Sequence, residues 1–307
     1  MKKIIVLGGH GFVGKEVTNQ LKKMDYEVFP LSRSNGLDIT DLKITEKYFS
    51  DIKPNAIINC AAHVGSLHYV SESCADIVFD NMQMIINIYR AVQKQIPDCL
   101  VINPIANCGY PSQGSILKEE DFMKEDVHSS VYSYGHSRRI LYVTSKMYWK
   151  QYGIKSNNFL IPNCYGPGDS TDPNKVHAIN GLIIRLIKAK KREDSEFVIW
   201  GTGKPIREWA FVSDVSKLLL SSINQKEILI DPINLGKGEG VSIKDSAKAI
   251  SKLLNYEGRL TYDTSLQDGA PKKVMCGRKF QSIFPDFEFT DHIEGLQKTI
   301  NYYWDLI

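Results

Sequence analysis

Five short apolar runs mark the first half of the chain: IIVLG from Ile4, EVFPL from Glu27, AIINC from Ala56, CLVINP from Cys99 and NNFLIP from Asn157. Between them lie segments of helical length and period. A strand whose apolar residues do not alternate with polar ones is buried on both faces, and parallel strands need crossover helices to cover those faces. The rhythm therefore predicts an α/β fold, a doubly wound parallel sheet layered between helices.

At 307 residues, 43% of them hydrophobic, the chain can bury one large core or two small ones. A formal charge of +3 is spread along the whole length, and the densest basic run, KAKKRED from Lys188, carries its own acids. That run reads as a solvated helix end, which argues against nucleic acid as a partner. No stretch approaches the roughly 20 uninterrupted apolar residues of a membrane span. MKKIIVLGG reaches its glycines before a secretory apolar core is complete, so the expected location is the cytoplasm. The six cysteines lack CxxC spacing and read as free thiols, with neither disulfides nor a metal site expected.

After Asn163 the pattern changes. The polar loop YGPGDSTDPNKVHA leads to the apolar helix INGLIIRLIKAKK and then to EFVIWGTGKPIREWAFVSDVSKLLL. A loop of that length inside a compact unit is more often functional than idle. The expected division assigns residues 1–164 plus 211–236 to the sheet-bearing unit and 165–210 plus 237–289 to a smaller C-terminal α/β lobe. The amphipathic final helix, 290–307, is able to return to the first unit.

IIVLGGHGFVGKEV places Gly8, Gly11 and Gly14 between the first strand and a helix. That spacing allows a tight turn and brings a pyrophosphate to free N–H groups at the helix N-terminus. At the end of the second strand an acid would bind the ribose of NAD, yet the chain reads FPLSRSNG. Ser32 and Arg33 offer a donor and a cation suited to a 2′-phosphate, which favours NADP(H) with NAD(H) as the alternative. Arg33 as a solvated loop residue is the competing reading.

YGHSRRILYVTSK holds two Tyr–cation pairs at i, i+4, Tyr134 with Arg138 and Tyr142 with Lys146. GGHGFVG, LDITD, NCAAHVG, FDNMQMIINI, CGYP, YGHSRR, NCYGPGD, VHAINGLIIR, WGTGKPIREWAFVSD and QDGAPKKV together resemble the extended short-chain dehydrogenase/reductase superfamily. Within it they are similar to the GDP-L-fucose synthase-like nucleotide-sugar enzymes. The resemblance implies a Rossmann domain carrying the cofactor, a lobe that closes on a nucleotide-linked sugar, and a homodimer whose four-helix interface uses residues 72–97 and 134–153. Its register selects Tyr134, because the catalytic Tyr stands about 18 residues before a YG that ends its helix, here Tyr152. Tyr142 and Lys146 are then a packing residue and a solvated one.

The resemblance also implies the contacts. On the cofactor side these are Gly8, His10, Gly11, Phe12, Val13, Gly14, Ser32, Arg33, Asp38, Ile39, Ala61, Ala62, His63 and Asn81, with Tyr134 and Arg138. His63 and Asn81 are equally readable as structural. Arg185, Arg207 and Lys273 match positions that grip the diphosphate; solvated surface cations are the competing reading for each. Asn163 and Trp200 complete the substrate set, and Asp214 reads as a helix cap.

Reduction of a sugar ketone needs a proton donor at the carbonyl oxygen, and a Tyr near a cation can serve. Arg138 stands in the family's Lys position one helical turn on, keeping the charge but not the ability to relay a proton. NPIANCGYP puts Ala106 and Asn107 where the family has serines; only Asn107 can donate. Cys108 and His177 match the acid–base pair that epimerises carbons beside the ketone. The expected activity is therefore epimerisation of a 4-keto nucleotide-diphosphate sugar (a 6-deoxy hexose or heptose, GDP-linked), NADPH-dependent C4 reduction, or both. A redox-neutral 4-epimerase or dehydratase with tightly held NAD(P), and a binding protein that has lost catalysis, are the alternatives.

Overall fold

The computed structural model describes residues 1–112, 116–266 and 268–307. Gln267, which opens QDGAPKKV, lies outside the described residues. In chain order the first elements are β1 (Lys2–Leu7), α1 (Phe12–Leu21), β2 (Tyr26–Leu31), α2 (Leu42–Ile52), β3 (Ala56–Asn59), α3 (Leu67–Glu72), α4 (Cys74–Gln95), β4 (Leu100–Ala106), α5 (Tyr132–Tyr152), β5 (Ser156–Ile161) and β6 (Asn163–Tyr165). There follow α6 (Ala178–Lys191), β7 (Glu196–Trp200), β8 (Ile206–Arg207), β9 (Trp209–Phe211), α7 (Val212–Ser221), β10 (Ile233–Asn234) and β11 (Val241–Ser242). The chain ends with α8 (Ile243–Leu253), β12 (Arg259–Asp263), β13 (Lys272–Lys273), α9 (Arg278–Ile283) and α10 (His292–Trp304).

The five apolar runs form β1 to β5, and with β10 they make one parallel sheet in the order β10-β5-β4-β3-β1-β2. Alternation along β1 shows why it has no polar face. Ile5 and Leu7 enter a core with Phe49, Ile85, Tyr89 and Leu141 from α2, α4 and α5, while Ile4 and Val6 enter one with Val17, Leu21, Val215 and Leu218 from α1 and α7. Pro30, which cannot donate to a ladder, sits in β2 at the sheet edge.

From β1 the chain steps to β2 on one side and returns to β3 on the other. The strand order reverses there, so a crevice opens beyond the C-terminal ends of β1 and β3, the place where open α/β sheets bind ligands. The smaller elements form the three-stranded sheet β11-β8-β13 and the pairs β12-β7 and β6-β9.

Three expectations need correction. The final helix does not return to the large sheet: Leu296, Ile300 and Tyr303 of α10 bury with Ile183 of α6 and Ala247 and Ile250 of α8, which offer the apolar face that helix needs. Residues 278–289, assigned to the smaller lobe, lean the other way, with Phe280, Phe284, Phe287 and Phe289 packing on the core that holds Phe159 and Ile233. Asp214 is not a cap; Phe211 precedes the helix, and Asp214 lies in its first turn, accepting from Thr290 N at 2.7 Å and Thr290 Oγ1 at 2.8 Å.

Candidate active site

The glycine loop closes on itself. Gly8 adopts φ +70°, and a Cβ there would stand 2.8 Å from the Cys60 carbonyl oxygen. A Cβ on Gly14 would run into the Gly8 carbonyl, whereas one on Gly11 would meet only the Gly8 oxygen, at 3.2 Å. Gly11 is also the N-cap of α1 and has no side chain to cap it. The first N–H groups of the helix, from Phe12, Val13 and Gly14, are thus left for an external acceptor. Free N–H groups at a glycine-tight helix start are donors that suit a pyrophosphate, so the residues fit a dinucleotide. Gly14→Ala is expected to abolish dinucleotide binding and lower the melting temperature; titration with NADPH and a thermal melt would check both.

At the end of β2, His10 Nδ1 lies 2.9 Å from Ser32 Oγ, which lies 2.7 Å from Ser34 Oγ, and exposed Arg33 stands beside them. Asp38 is committed locally: its carboxylate accepts from Thr40 Oγ1 at 2.7 Å and Thr40 N at 3.0 Å. The Thr40 hydroxyl, opposed by burial and aided by the Thr40 N–H and Arg33, holds Asp38 below its usual pKa. Ile39 is buried, and the Cys60–Ala61 backbone packs on Gly8, with Ala62 following. His63 reaches Tyr69 Oη at 2.8 Å, and its Nδ1 lies 2.8 Å from Asp80 Oδ2.

Arg138 turns inward and is 3% exposed. Its Nη2 donates to Asn81 Oδ1 at 2.7 Å, while Asn81 is itself held by donating to the His63 and Ile77 carbonyls. Its Cζ lies 4.8 Å from the centre of the Tyr134 ring. Burial pushes the Tyr134 phenol up to about 12, with Arg138 pulling the other way. Gly135 brings α5 onto the segment after β4, since a Cβ there would stand 2.7 Å from the Cys108 carbonyl. Tyr134 and Cys108 are thereby neighbours. Burial holds the Cys108 thiol up at about 11, against the pull of Arg138 and Lys273. Next to it, Asn107 is buried, and its Nδ2 has no hydrogen-bond partner among the described residues. Ala106 closes β4.

His177 is anchored by a residue that motif reading missed. Asp169, 8% exposed, lies 3.1 Å from His177 Nδ1 through both oxygens and accepts from His177 N at 2.9 Å and Asn180 Nδ2 at 2.8 Å. Burial disfavours its charge, but the His177 ring, Asn180 and the His177 N–H prevail and hold the carboxyl below its usual value. Nε2 is left as the working nitrogen. The ring centre lies 5.2 Å from that of Phe12, the two planes tilted by 44°, placing this dyad beside the glycine loop.

Lys273 and Arg207 are register partners on β13 and β8, so their side chains share a face. Lys273 is 6% exposed and donates to the Tyr110 and Pro111 carbonyls at 3.2 and 3.1 Å. Burial lowers it to about 8, with Cys108 opposing and Arg207 and Arg139 adding. His128, also absent from the sequence reading, feels both cations; burial first, then Lys273 and Arg207, hold its imidazole below the usual value. Arg185 has its Cζ over two rings, 4.5 Å from the centre of Trp200 and 4.8 Å from that of Phe197, and donates to the Val198 carbonyl. Asn163 pairs in register with Trp209. Tyr142 and Lys146 both bond Asp231, at 3.0 and 2.9 Å.

Residues 4–236 match the NAD dependent epimerase/dehydratase family. A probable GDP-L-fucose synthase of Drosophila melanogaster is 30% identical over 315 residues, covering 99% of this chain and 97% of that protein. A GDP-L-colitose synthase of Yersinia pseudotuberculosis is 29% identical, covering 98% and 97%. Among solved structures, a GDP-L-fucose synthetase from Naegleria fowleri bound to NADP aligns with a TM-score of 0.86 at 26% identity, over 99% of this chain and 94% of that one. Among the described residues no helix is long and apolar enough to cross a membrane.

Proposed function

Since the chain belongs to the NAD dependent epimerase/dehydratase family, we propose that it is a cytoplasmic, NADP(H)-dependent enzyme of nucleotide-sugar biosynthesis. It acts on a 4-keto sugar linked to GDP, epimerising carbons beside the ketone and reducing C4. The observation that carries this reading is Arg138 lying over the Tyr134 ring while Gly135, the next residue, is pressed against the Cys108 backbone, with the charges of Arg138 and Lys273 both felt by the Cys108 thiol. The GDP linkage and NADP rest on the relatives named above.

The N–H groups of Phe12, Val13 and Gly14 would hold the pyrophosphate, and His10, Ser32 and Arg33 the 2′-phosphate. When bound, NADPH supplies the hydride. Tyr134, which keeps its proton at neutral pH, donates it to the carbonyl oxygen as charge develops there. Asn107 offers its unpartnered amide to the same oxygen, the donor that Ala106 cannot supply. Cys108 and His177 exchange the proton beside the carbonyl, one removing it and the other returning it on the opposite face. Arg207 and Lys273 grip the diphosphate, and Arg185 with Trp200 offers a stacking platform.

A 4-keto GDP-sugar incubated in deuterated water and followed by NMR tests the reading. Deuterium enters beside the ketone without NADPH, and C4 is reduced when NADPH is added. If neither change appears, the reading fails. Lys273 adds a pH signature. An anionic diphosphate needs the ammonium form, so affinity for GDP-mannose is expected to fall as pH rises through about 8. The limit is about tenfold per pH unit for one linked proton. Lys273→Arg, charged throughout, should bind without that alkaline fall; calorimetry at pH 7.5 and 9 would show it.

The enzyme acts as a homodimer through α4 and α5. Exposed Val78, Phe79, Ile86 and Tyr132 border a groove of about 810 Å³, an apolar surface of the kind that is covered in assemblies. Phe79→Asp is expected to give monomers in light scattering.

A further inference from the structure

The two cations assigned to the diphosphate lie on very short strands, β8 and β13, paired over two residues each. Something else must hold them in register. Glu208 follows Arg207 directly and is 2% exposed, and among the described residues no cationic side chain bonds to it. Its N–H donates to the Lys273 carbonyl at 3.0 Å. Its Oε2 accepts from Met275 N at 2.7 Å, and its Oε1 accepts from Lys237 N at 2.5 Å and Gly238 N at 3.3 Å. A single carboxylate thus ties the strand end beyond Lys273 and the loop after β10 to the residue beside Arg207. We propose that Glu208 is a positioning residue whose ionised carboxylate, through these three main-chain donors, fixes Lys273 against Arg207 so that both cations meet one diphosphate. This rests on the diphosphate reading of that site.

The carboxylate form is needed because every group facing it is a donor. Protonation turns one acceptor into an O–H aimed at N–H groups, so at least one of the three bonds is lost. Burial, opposed by those N–H groups and reinforced by the Glu239 carboxylate, pushes Glu208 up to about 7. The other charges nearby do not compensate: the Lys237 ammonium turns away to the Thr290 carbonyl and the Phe289 ring, and Arg207 donates to the Ile206 carbonyl. The positioned state is therefore lost as pH falls through about 7.

Calorimetric titration with GDP-mannose tests this, because its pyrophosphate diester does not titrate near neutrality. Wild type should bind about tenfold more weakly at pH 6 than at pH 7.5, as one linked proton on a group titrating near 7 dictates. Glu208→Gln should bind weakly at both values with the acid limb gone. An acid limb that persists in Glu208→Gln, or wild-type affinity in that variant, overturns the proposal. Amide exchange on the wild type, corrected for intrinsic rates, is the second arm and needs no variant. Protection of Lys237, Gly238 and Met275 should drop between pH 8 and 5.5, and unchanged protection also overturns the proposal. If wild type bound no GDP-mannose at any pH, the diphosphate reading would fall and the exchange arm alone would decide the role of Glu208.

Discussion

Tyr134→Phe is expected to stop NADPH oxidation on a 4-keto nucleotide sugar, lowering the reductive rate by about 10²–10⁴, the usual range for a general acid. Exchange of the hydrogens beside the ketone with solvent deuterium should continue, because that step belongs to Cys108 and His177. The separation follows from the packing. The guanidinium of Arg138 lies over the ring face and is tied to Asn81. It therefore lowers the phenol only in part, and burial leaves it near 12. A phenol that keeps its proton donates to a developing alkoxide, and no other hydroxyl is offered by Ala106. The substitution removes one oxygen from a buried ring, so the melting temperature serves as the control for folding. Undiminished NADPH oxidation by a folded Tyr134→Phe variant would falsify the role of Tyr134.

The sheet was legible because burial on both faces leaves its mark in each strand separately, and each of the five apolar runs needed only itself to be read. The glycine loop was legible for a similar reason, since Gly8, Gly11 and Gly14 answer a backbone constraint within seven residues. Asp169 was not. It lies eight residues before His177 in a loop rich in polar residues, and only the folded loop turns its carboxylate onto the imidazole. His128 and Glu208 were hidden likewise, because their environments come from Lys273, Met275 and Lys237, which lie far along the chain. The final helix was misplaced because an amphipathic stripe says that a face will be buried but not against which core. Arg185 reads in sequence as one more phosphate cation; its stacking on Trp200 depends on β7 passing alongside α6.

His177→Asn is expected to end deuterium incorporation beside the ketone, with a loss of about 10²–10⁴ in the exchange rate, while a ketone that already has the product configuration is still reduced through Tyr134. The reason is geometric. Asp169 holds Nδ1 and leaves Nε2 as the only ring nitrogen free to carry a proton, and an amide in its place has no site that takes up and releases one near neutrality. Asp169→Asn should act through the same ring yet differ in kind. Asp169 also accepts from Asn180 and from the His177 N–H, so an amide there sets donor against donor in a buried place. That change should lower stability by about 1–3 kcal/mol as well as slow exchange. A His177→Asn variant that is as stable as wild type, exchanges no deuterium and still reduces would place the imidazole on the proton path. One that loses exchange and reduction together would mean that a single set of groups carries both steps, contrary to the division drawn from the positions of Tyr134 and His177.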